Sequence, residues 1–170
     1  MSGPLLAGNG LYPPVQIRRA HDVDDFRSGR GSLDAWLKRR ALAAEGYSAR
    51  TYVCLDPAGA VRGYYALSAC SISRSSAPGR PRRNVPDPLS AILLGRLAVD
   101  QAFQGRGVGR LLLFEAIRRT LAASEMIGCR ALVVHALDAE AAAFYARYGF
   151  LAVLNEPHTL FLPVQSLKLA

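Results

Sequence analysis

A glycine-rich turn between an apolar strand and a long helix restricts this chain's fold more than any other feature. The sequence Gln104-Gly-Arg-Gly-Val-Gly109 follows the apolar run Ala91–Val99 and precedes a helical pattern from about Gly107 to Ser124. Glycines allow the backbone to turn tightly and to approach a ligand closely. The free N–H groups and the dipole at a helix start attract phosphate. The turn therefore predicts a pyrophosphate site, to which Arg106 and Arg110 add positive charge.

Other interpretations of the turn are weaker. A P-loop requires Lys followed by Ser or Thr behind its glycines, and this turn has neither. A dinucleotide-binding GxGxxG motif that begins at Gly105 would have Arg110 in place of its third glycine. That motif also belongs on the first strand of a fold, whereas this turn lies two-thirds of the way along the chain. A glycine cluster taken alone is equally compatible with a tight strand–helix turn that binds no ligand.

A helix and an antiparallel hairpin are predicted ahead of the turn. Ser32 is a suitable N-cap and Gly46 a suitable stop for a helix with one apolar face, on which Trp36 lies. The runs Ala49–Leu55 and Val61–Ser71 are separated by a Pro-Ala-Gly turn and predict the two strands of the hairpin.

A further strand and helix are predicted behind the turn. The apolar run Arg130–Leu137 predicts a strand, and Asp138 is the expected cap of a helix that extends through Tyr148 with Gly149 behind it. Two short strands end the chain. A hairpin followed by strand, helix, strand and helix predicts an α/β fold with a central mixed β-sheet flanked by helices.

Length and composition predict a single domain without a metal or a membrane. A chain of 170 residues can bury its own core, and we expect one domain over residues 15–170 behind a flexible leader of residues 1–14. Its 3 cysteines lie far apart without metal-ligand spacing, so no metal site is expected. We see neither a signal peptide nor a run of about 18 apolar residues, and therefore expect a cytoplasmic protein.

The chain is strongly basic, with a formal net charge of +8. Such a charge attracts polyanions, including nucleic acids and phosphate-bearing cofactors. The stretch Arg74–Pro88 contains four prolines and four arginines with almost no apolar residue, which predicts a long exposed loop. Either a nucleic-acid partner or a basic enzyme that binds only its cofactor fits this composition.

The segment from Arg96 to Leu113 resembles the acetyl-CoA motif of the GNAT superfamily of N-acetyltransferases, Arg/Gln-x-x-Gly-x-Gly/Ala, with the strand that precedes it. The resemblance implies a GNAT fold and acetyl-CoA as the acetyl donor. It implies that the backbone of Leu97, Ala98 and Val99 pairs with the pantetheine arm. The residues that it implies for the pyrophosphate turn are Gln104, Gly105, Arg106, Gly107, Val108, Gly109 and Arg110.

A second GNAT hallmark, a helix that carries Phe-Tyr and ends in Gly-Phe, resembles Ala136–Phe150. In GNAT enzymes the tyrosine at the position of Tyr145 lies near the cofactor sulfur. The resemblance therefore implies Tyr145 as the catalytic acid and Phe144 as a residue that lines the cofactor. The chemistry is suitable, because a phenol with a pKa of about 10 can protonate a leaving thiolate, whose thiol has a pKa of about 8.5. Without the motif, Tyr145 would be interpreted as an aromatic core residue.

The sequence singles out no general base. An α-amino group has a reference pKa of about 7.7–8.0, so a useful fraction is neutral and can attack without a strong base. Glu45, Glu115, His135 and Asp138 are available, but their spacing distinguishes none of them. The N–H of Val99 is the expected hydrogen-bond donor to the tetrahedral oxyanion.

Nearly the whole chain after residue 15 resembles the TacT/AtaT type of GNAT toxin. The similar segments include Phe26–Leu37, Val61–Leu67, Leu94–Val99 and Thr159–Leu162, while family members often have Cys-Gly at Ser28-Gly29. The resemblance implies acetylation of the α-amino group of aminoacyl-tRNA, which blocks translation. It also implies a ribbon-helix-helix antitoxin as partner.

The basic charge agrees with a tRNA substrate, since lysine and arginine contacts to phosphates supply most of the affinity for nucleic acids. A homodimer would extend this basic surface across a tRNA. For each side chain the alternative is a solvated surface charge. The candidates for phosphate contact are Lys38, Arg39, Arg40, Arg80, Arg82, Arg83 and Arg96.

Two other functions stay open. A small-molecule or protein N-acetyltransferase with a metabolic role would acetylate free amines with little sensitivity to salt. A non-catalytic module would bind nucleic acid or a protein without chemistry, although the intact glycine turn and Tyr145 argue against it.

Overall fold

The fold is described by a computed structural model over residues 8–76 and 86–168. The strands of these residues form a seven-stranded sheet in the order β1-β2-β3-β4-β5-β7-β6. The chain divides into two compact units. The first unit combines the residues up to Leu67 with Arg96–Ala116, and the second combines Ser68–Gly95 with the residues from Ile117 onward.

The elements agree closely with those that the sequence predicts. The hairpin, the strand before the glycine turn and the strand and helix behind it are all present, and the mixed sheet is confirmed. The last helix was not predicted. In chain order the elements are β1 (Val15–Gln16), α1 (Gly31–Arg39), α2 (Ala41–Ala44), β2 (Arg50–Leu55), β3 (Val61–Ile72), β4 (Leu89–Val99), α3 (Val108–Met126), β5 (Ala131–His135), α4 (Ala139–Ala146), β6 (Leu151–Val153), β7 (Glu156–Pro163) and α5 (Val164–Lys168).

In the first unit, Tyr64 on β3 organises the core. Its side chain is fully buried, and its hydroxyl donates a 2.7 Å hydrogen bond to the carbonyl of Leu33 on α1. The ring of Phe26 meets it edge-on at 5.6 Å between centroids, and the ring of Trp36 stacks on it at 6.0 Å with 10° between the planes. These contacts fix the packing of α1, because a buried hydroxyl needs a partner and aromatic pairs prefer such geometries.

In the second unit, β5 is buried along nearly its whole length, which explains why its sequence is continuously apolar. It pairs in parallel with Ala91–Leu94 of β4 and antiparallel with β7. Ala131, Val133 and Phe161 contribute to one buried cluster of this unit.

Residues 8–14 are the described part of the expected leader, and several of them make defined contacts. Leu11 is 0% exposed, and the N–H of Tyr12 donates to the carbonyl of Leu55 at 2.9 Å. The side chain of Asn9 accepts a hydrogen bond from the N–H of Leu11 at 3.1 Å. The bond between Tyr12 and Leu55 on β2 is a tertiary contact, so the local composition of the segment does not reveal it.

The N-cap of α1 also differs from the prediction. It is Arg30, whose side chain makes no capping hydrogen bond, so Ser32 as N-cap is wrong. The carboxylate of Asp34 instead accepts the N–H of Ser28 at 3.0 Å, which ties the segment before the helix to its first turn. The predicted single helix is interrupted at Arg40, which separates α1 from α2.

The remaining predictions concern the arginine-rich loop, metal binding, membrane spans and the cysteines. Arg80, Arg82 and Arg83 lie outside the described residues. Within residues 8–76 and 86–168, no group of three or more His, Cys, Asp or Glu side chains could hold a metal ion, and no helix is long and apolar enough to span a bilayer. The three cysteines form no disulfide, and burial raises the pKa of the Cys54 thiol to about 12.

The close packing of β3 on α3 predicts a large effect for Gly63→Ala. A methyl group at Gly63 would lie 3.1 Å from Cδ1 of Leu112 and 3.3 Å from Cγ1 of Val108, and both of these side chains are fully buried. We expect the substitution to lower the free energy of unfolding by about 1–3 kcal/mol, as overpacking of a core does. Urea denaturation measures this. Gly128→Ala is the control, since its methyl group would meet only Oγ of Ser90 at 4.0 Å, and equal stability of the two variants would contradict the packing.

Candidate functional site

The turn between β4 and α3 has the backbone that its glycines predict. Gly105 and Gly107 have φ angles of 75° and 77°, which residues with a side chain rarely adopt. An added methyl group would meet nothing within 4 Å at either position, so the backbone angle rather than space requires glycine. The N–H of Leu111 is bonded to the carbonyl of Gly107 at 3.1 Å. The three preceding N–H groups, at the start of α3, therefore lack helical acceptors and can bind an anion.

Two guanidinium groups are held on aromatic rings beside this turn. The guanidinium carbon of Arg106 lies 4.9 Å from the ring centroid of Phe103, and that of Arg110 lies 5.0 Å from the ring centroid of Phe114. Such cation–π contacts limit the motion of the two charges. The turn thus combines open N–H groups with fixed positive charge, which suits a pyrophosphate.

The side chain of Gln104 is a brace for the turn. Its amide nitrogen donates hydrogen bonds to the carbonyl of Ser28 at 2.8 Å and to the carbonyl of Val99 at 2.9 Å. Both bonds hold the start of the turn against the end of β4 and against the segment before α1. A ligand would therefore meet the backbone of Gln104 rather than its side-chain amide.

Asp100 is a structural residue beside the turn that the sequence did not single out. Its side chain is 4% exposed, and its carboxylate accepts the N–H of Ala102 at 3.0 Å and the N–H of Arg27 at 3.1 Å. The guanidinium of Arg62 lies 3.6 Å from the same carboxylate and also bonds Asp56 at 2.8 Å. The capping role of Asp100 has a local signal, because an Asp follows directly after an apolar strand. Its partners on β3 and before α1 are distant in sequence and have no such signal.

The end of β4 presents alternate peptide groups to opposite sides. The N–H of Asp100 donates to the carbonyl of Arg62 on β3 at 2.8 Å. Because peptide groups alternate along a strand, those of Leu97 and Val99 face away from β3. The parallel register with β5 covers only Ala91–Leu94, so both residues lie beyond it. The peptide groups of Leu97 and Val99 are therefore better placed to pair with an extended ligand than that of Ala98, which is buried.

Three of the predicted phosphate-contact residues lie around a single cleft of the first unit. Arg39, Arg40 and Arg96 line a cavity of about 480 Å³ together with Ser32, Ala35 and Trp36. The guanidinium of Arg96 lies over the ring of Trp36 at 4.2 Å from its centroid. Lys38 is exposed on α1 but does not line this cleft.

Tyr145 lies near the end of α4 in the second unit. The carboxylate of Asp138 caps this helix by accepting the N–H of Ala141 at 2.9 Å, and Gly149 follows the helix with a φ of 92°. Both features were predicted. They place the ring of Tyr145 against Phe144 at 5.2 Å and against Phe150 at 5.5 Å between centroids.

The environment of Tyr145 keeps its phenol protonated. The residue is 8% exposed, and burial raises its pKa to about 12. Within the described part of the chain, its hydroxyl makes no hydrogen bond that would engage the proton. A neutral phenol of this kind can hydrogen-bond to a departing thiolate and give it a proton as the carbon–sulfur bond breaks.

Three of the available bases have structural contacts, and Asp138 is the cap of α4 described above. The carboxylate of Glu45 accepts the N–H of Thr51 at 2.8 Å and the side-chain amide of Gln16 at 2.7 Å. Nδ1 of His135 is 3.2 Å from Oγ1 of Thr159, and His135 is exposed at the end of β5.

The contacts of Asp100 predict a stability loss for Asp100→Asn. The amide of asparagine keeps one oxygen, which can accept only one of the two backbone N–H groups, and the attraction to Arg62 is lost with the charge. We expect the free energy of unfolding to fall by about 1–3 kcal/mol, the cost of leaving buried donors unpaired. Urea denaturation checks this beside Asp24→Asn, an exposed carboxylate for which about 0.5 kcal/mol or less is expected. Equal effects of the two substitutions would show that Asp100 does not hold these segments together.

Comparison with known proteins agrees with this geometry. Residues 47–151 match the family model of the acetyltransferase (GNAT) domain. The chain is 47% identical over 156 residues to the tRNA-acetylating toxin of Mycobacterium tuberculosis (strain ATCC 25618 / H37Rv), covering 91% of this chain and 93% of the relative.

Two solved structures share the fold at lower identity. AtaT complexed with acetyl-methionyl-tRNAfMet has a TM-score of 0.86 at 27% identity, covering 94% of this chain and 98% of that chain. A tyrosine-to-phenylalanine mutant of the AtaT toxin, bound to acetyl-CoA and the C-terminus of the antitoxin AtaR, has a TM-score of 0.79 at 26% identity, with 94% and 97% covered. Since the family model spans more than half of the chain and the mycobacterial relative nearly all of it, this protein belongs to the GNAT family of acetyltransferases.

Proposed function

We propose that this protein is a toxin that uses acetyl-CoA to acetylate the α-amino group of aminoacyl-tRNA and thereby blocks translation. The observation that carries the proposal is 47% identity, over 91% of the chain, to a tRNA-acetylating toxin. The glycine turn, the buried phenol of Tyr145 and the arginine cleft support it independently, because acetyl transfer to a charged tRNA needs a pyrophosphate site, a proton donor and a basic surface.

The donor, acetyl-CoA, supplies an activated thioester. The N–H groups at the start of α3 would hold its pyrophosphate, with Arg106 and Arg110 beside them. The outward-facing peptide groups of Leu97 and Val99 would pair with its pantetheine arm. Phe144, which is half-buried beside Tyr145, would line the same arm.

Acetyl transfer needs one hydrogen-bond donor and one acid from this chain. The neutral α-amino group of the aminoacyl ester attacks the thioester carbon, and the N–H of Val99 donates to the oxyanion. The carbon–sulfur bond then breaks, and Tyr145 gives its proton to the thiolate. The proton that the amine loses passes to solvent, and the phenolate of Tyr145 takes a proton back from solvent, so no dedicated base is assigned.

The proposal extends to partners and location. A ribbon-helix-helix antitoxin would neutralise the toxin, which the AtaT complex with the C-terminus of the antitoxin AtaR supports. A homodimer of the single domain, residues 15–170, would present two basic surfaces to one tRNA. All of these components act in the cytoplasm, where charged tRNA is used.

Transfer of labelled acetyl groups tests the reaction itself. We expect label from acetyl-CoA on charged tRNA and none on deacylated tRNA or free amines. The apparent affinity for tRNA should fall steeply with salt, because each phosphate contact releases a counterion. Label on free amines with a shallow salt dependence would contradict the proposal and favour a metabolic N-acetyltransferase.

Tyr145→Phe tests the assignment of the acid. The ring packing is kept but the proton is lost, so the rate of acetyl transfer should fall about 10²–10⁴-fold while the dissociation constant of acetyl-CoA is unchanged. Tyr148→Phe is the matched control, since Tyr148 contacts Phe144 at 5.3 Å between centroids and has no assigned role.

The pH dependence gives a second check on Tyr145. Its phenol remains protonated below the pKa of about 12, so the wild-type rate should show no descending limb from this residue up to about pH 10. Retention of the wild-type rate by Tyr145→Phe would rule out this residue as the acid.

A further inference from the structure

We propose that Gln104 is a positioning residue for acetyl transfer, whose side-chain amide holds the peptide after Val99 so that the N–H of Val99 faces the tetrahedral oxyanion. The inference rests on the proposed function, in which this N–H stabilises the oxyanion, and it names the residue that keeps the N–H in place. Gln104 acts through the backbone of Val99 and does not itself touch the substrate.

Both hydrogen-bond partners of the Gln104 side chain are carbonyl oxygens. Its amide nitrogen donates to the carbonyl of Val99 at 2.9 Å and to the carbonyl of Ser28 at 2.8 Å. A carbonyl oxygen only accepts, so the nitrogen of the amide, with its two N–H groups, must face both partners. The side chain therefore joins the end of β4 to the segment before α1 in one defined orientation.

The peptide unit between Val99 and Asp100 is held from both sides. Its N–H donates to the carbonyl of Arg62 on β3 at 2.8 Å, and its C=O accepts the bond from Gln104. Because a peptide unit is planar, two bonds in opposite directions fix the rotation of its plane. The preceding peptide, which carries the N–H of Val99, faces away from β3 and lies beyond the parallel register with β5, which ends at Leu94. The direction of this N–H therefore depends on the fixed peptide next to it.

The amide of Gln104 also removes a repulsion at the site. The N–H and the C=O of one residue in a strand point to the same edge, so the carbonyl of Val99 lies on the side of the N–H that meets the oxyanion. The partial negative charge of a free carbonyl oxygen there would oppose a developing oxyanion. The bond from Gln104 occupies this oxygen, which leaves the N–H as the polar group of Val99 that a ligand meets.

The glycine turn has other bonds that hold its start. The carboxylate of Asp100 accepts the N–H of Ala102 at 3.0 Å, and the N–H of Phe103 donates to the carbonyl of Asp100 at 2.8 Å. Neither bond involves the side chain of Gln104, so the pyrophosphate site should keep its shape when this side chain is replaced. A loss in the rate of transfer without a loss in cofactor binding therefore distinguishes positioning of Val99 from general support of the turn.

Two substitutions remove the donor. In Gln104→Ala we expect kcat for acetyl transfer to fall about 10–100-fold, somewhat less than the loss of about 10²–10³-fold that follows removal of an oxyanion donor itself. Gln104→Glu keeps the shape, but its carboxylate only accepts, so kcat should fall at least as far. The dissociation constant of acetyl-CoA, measured by isothermal titration calorimetry, should change less than about threefold, because the lost interaction acts in the transition state.

A rescue variant and a matched control complete the series. Gln104→Arg should recover most of the wild-type kcat, since a guanidinium offers several N–H donors to the two carbonyls. Gln101→Ala is the control, because it changes the same residue type in the same turn. Among the described residues the side chain of Gln101 makes no hydrogen bond, and its backbone bond to the carbonyl of Arg27 remains, so its kcat should equal that of wild type. Urea denaturation of every variant shows that folded proteins are compared.

Several outcomes would overturn the role of Gln104. These are an unchanged kcat in Gln104→Ala, an equal loss in Gln101→Ala, a kcat of Gln104→Arg as low as that of Gln104→Ala, or weaker acetyl-CoA binding with kcat kept. The proposed function fails separately, when wild type puts no label on charged tRNA. The same variants are then compared on the amine that the enzyme does acetylate, because the oxyanion forms with any amine.

Discussion

The buried carboxylate of Asp100 is the contact on which the architecture of the first unit depends. It joins the turn after β4, the segment before α1 and, through Arg62, the hairpin strand β3. The side-chain amide of Gln104 repeats the link between the turn and the segment before α1. Because Asp100 and Gln104 both bond the segment that leads into α1, the glycine turn and the cleft around Trp36 share one support.

The arginines of the first unit fall into two groups, those that pair with carboxylates and those that do not. Some arginines stabilise the fold, since Arg62 bonds Asp56 and faces Asp100. Among the described residues Arg39, Arg40 and Arg96 form no ion pair, and Arg106 and Arg110 rest on aromatic rings. Charge that is neutralised by carboxylates thus stabilises the fold, while the remaining charge is available to an anion.

Features that depend on neighbours in sequence could be predicted, and features that depend on tertiary contacts could not. The positive φ of Gly105 and Gly107 and the capping of α4 by Asp138 follow from local residue chemistry. The burial of Leu11, the brace formed by Gln104 and the partners of Asp100 each join segments far apart in the chain. Periodicity likewise placed Trp36 on an apolar face but could not show that Arg96, some sixty residues later, covers its ring.

The position of the transferred acetyl group tests the proposed function most directly. After reaction with acetyl-CoA, ribonuclease digestion of the charged tRNA releases the 3′-terminal aminoacyl-adenosine, whose mass and fragments locate the modification. We predict one added acetyl group on the α-amino group of the amino acid, and no acetyl group on adenosine from deacylated tRNA. Acetyl groups on a nucleobase, on a ribose hydroxyl or only on proteins in the mixture would contradict the account.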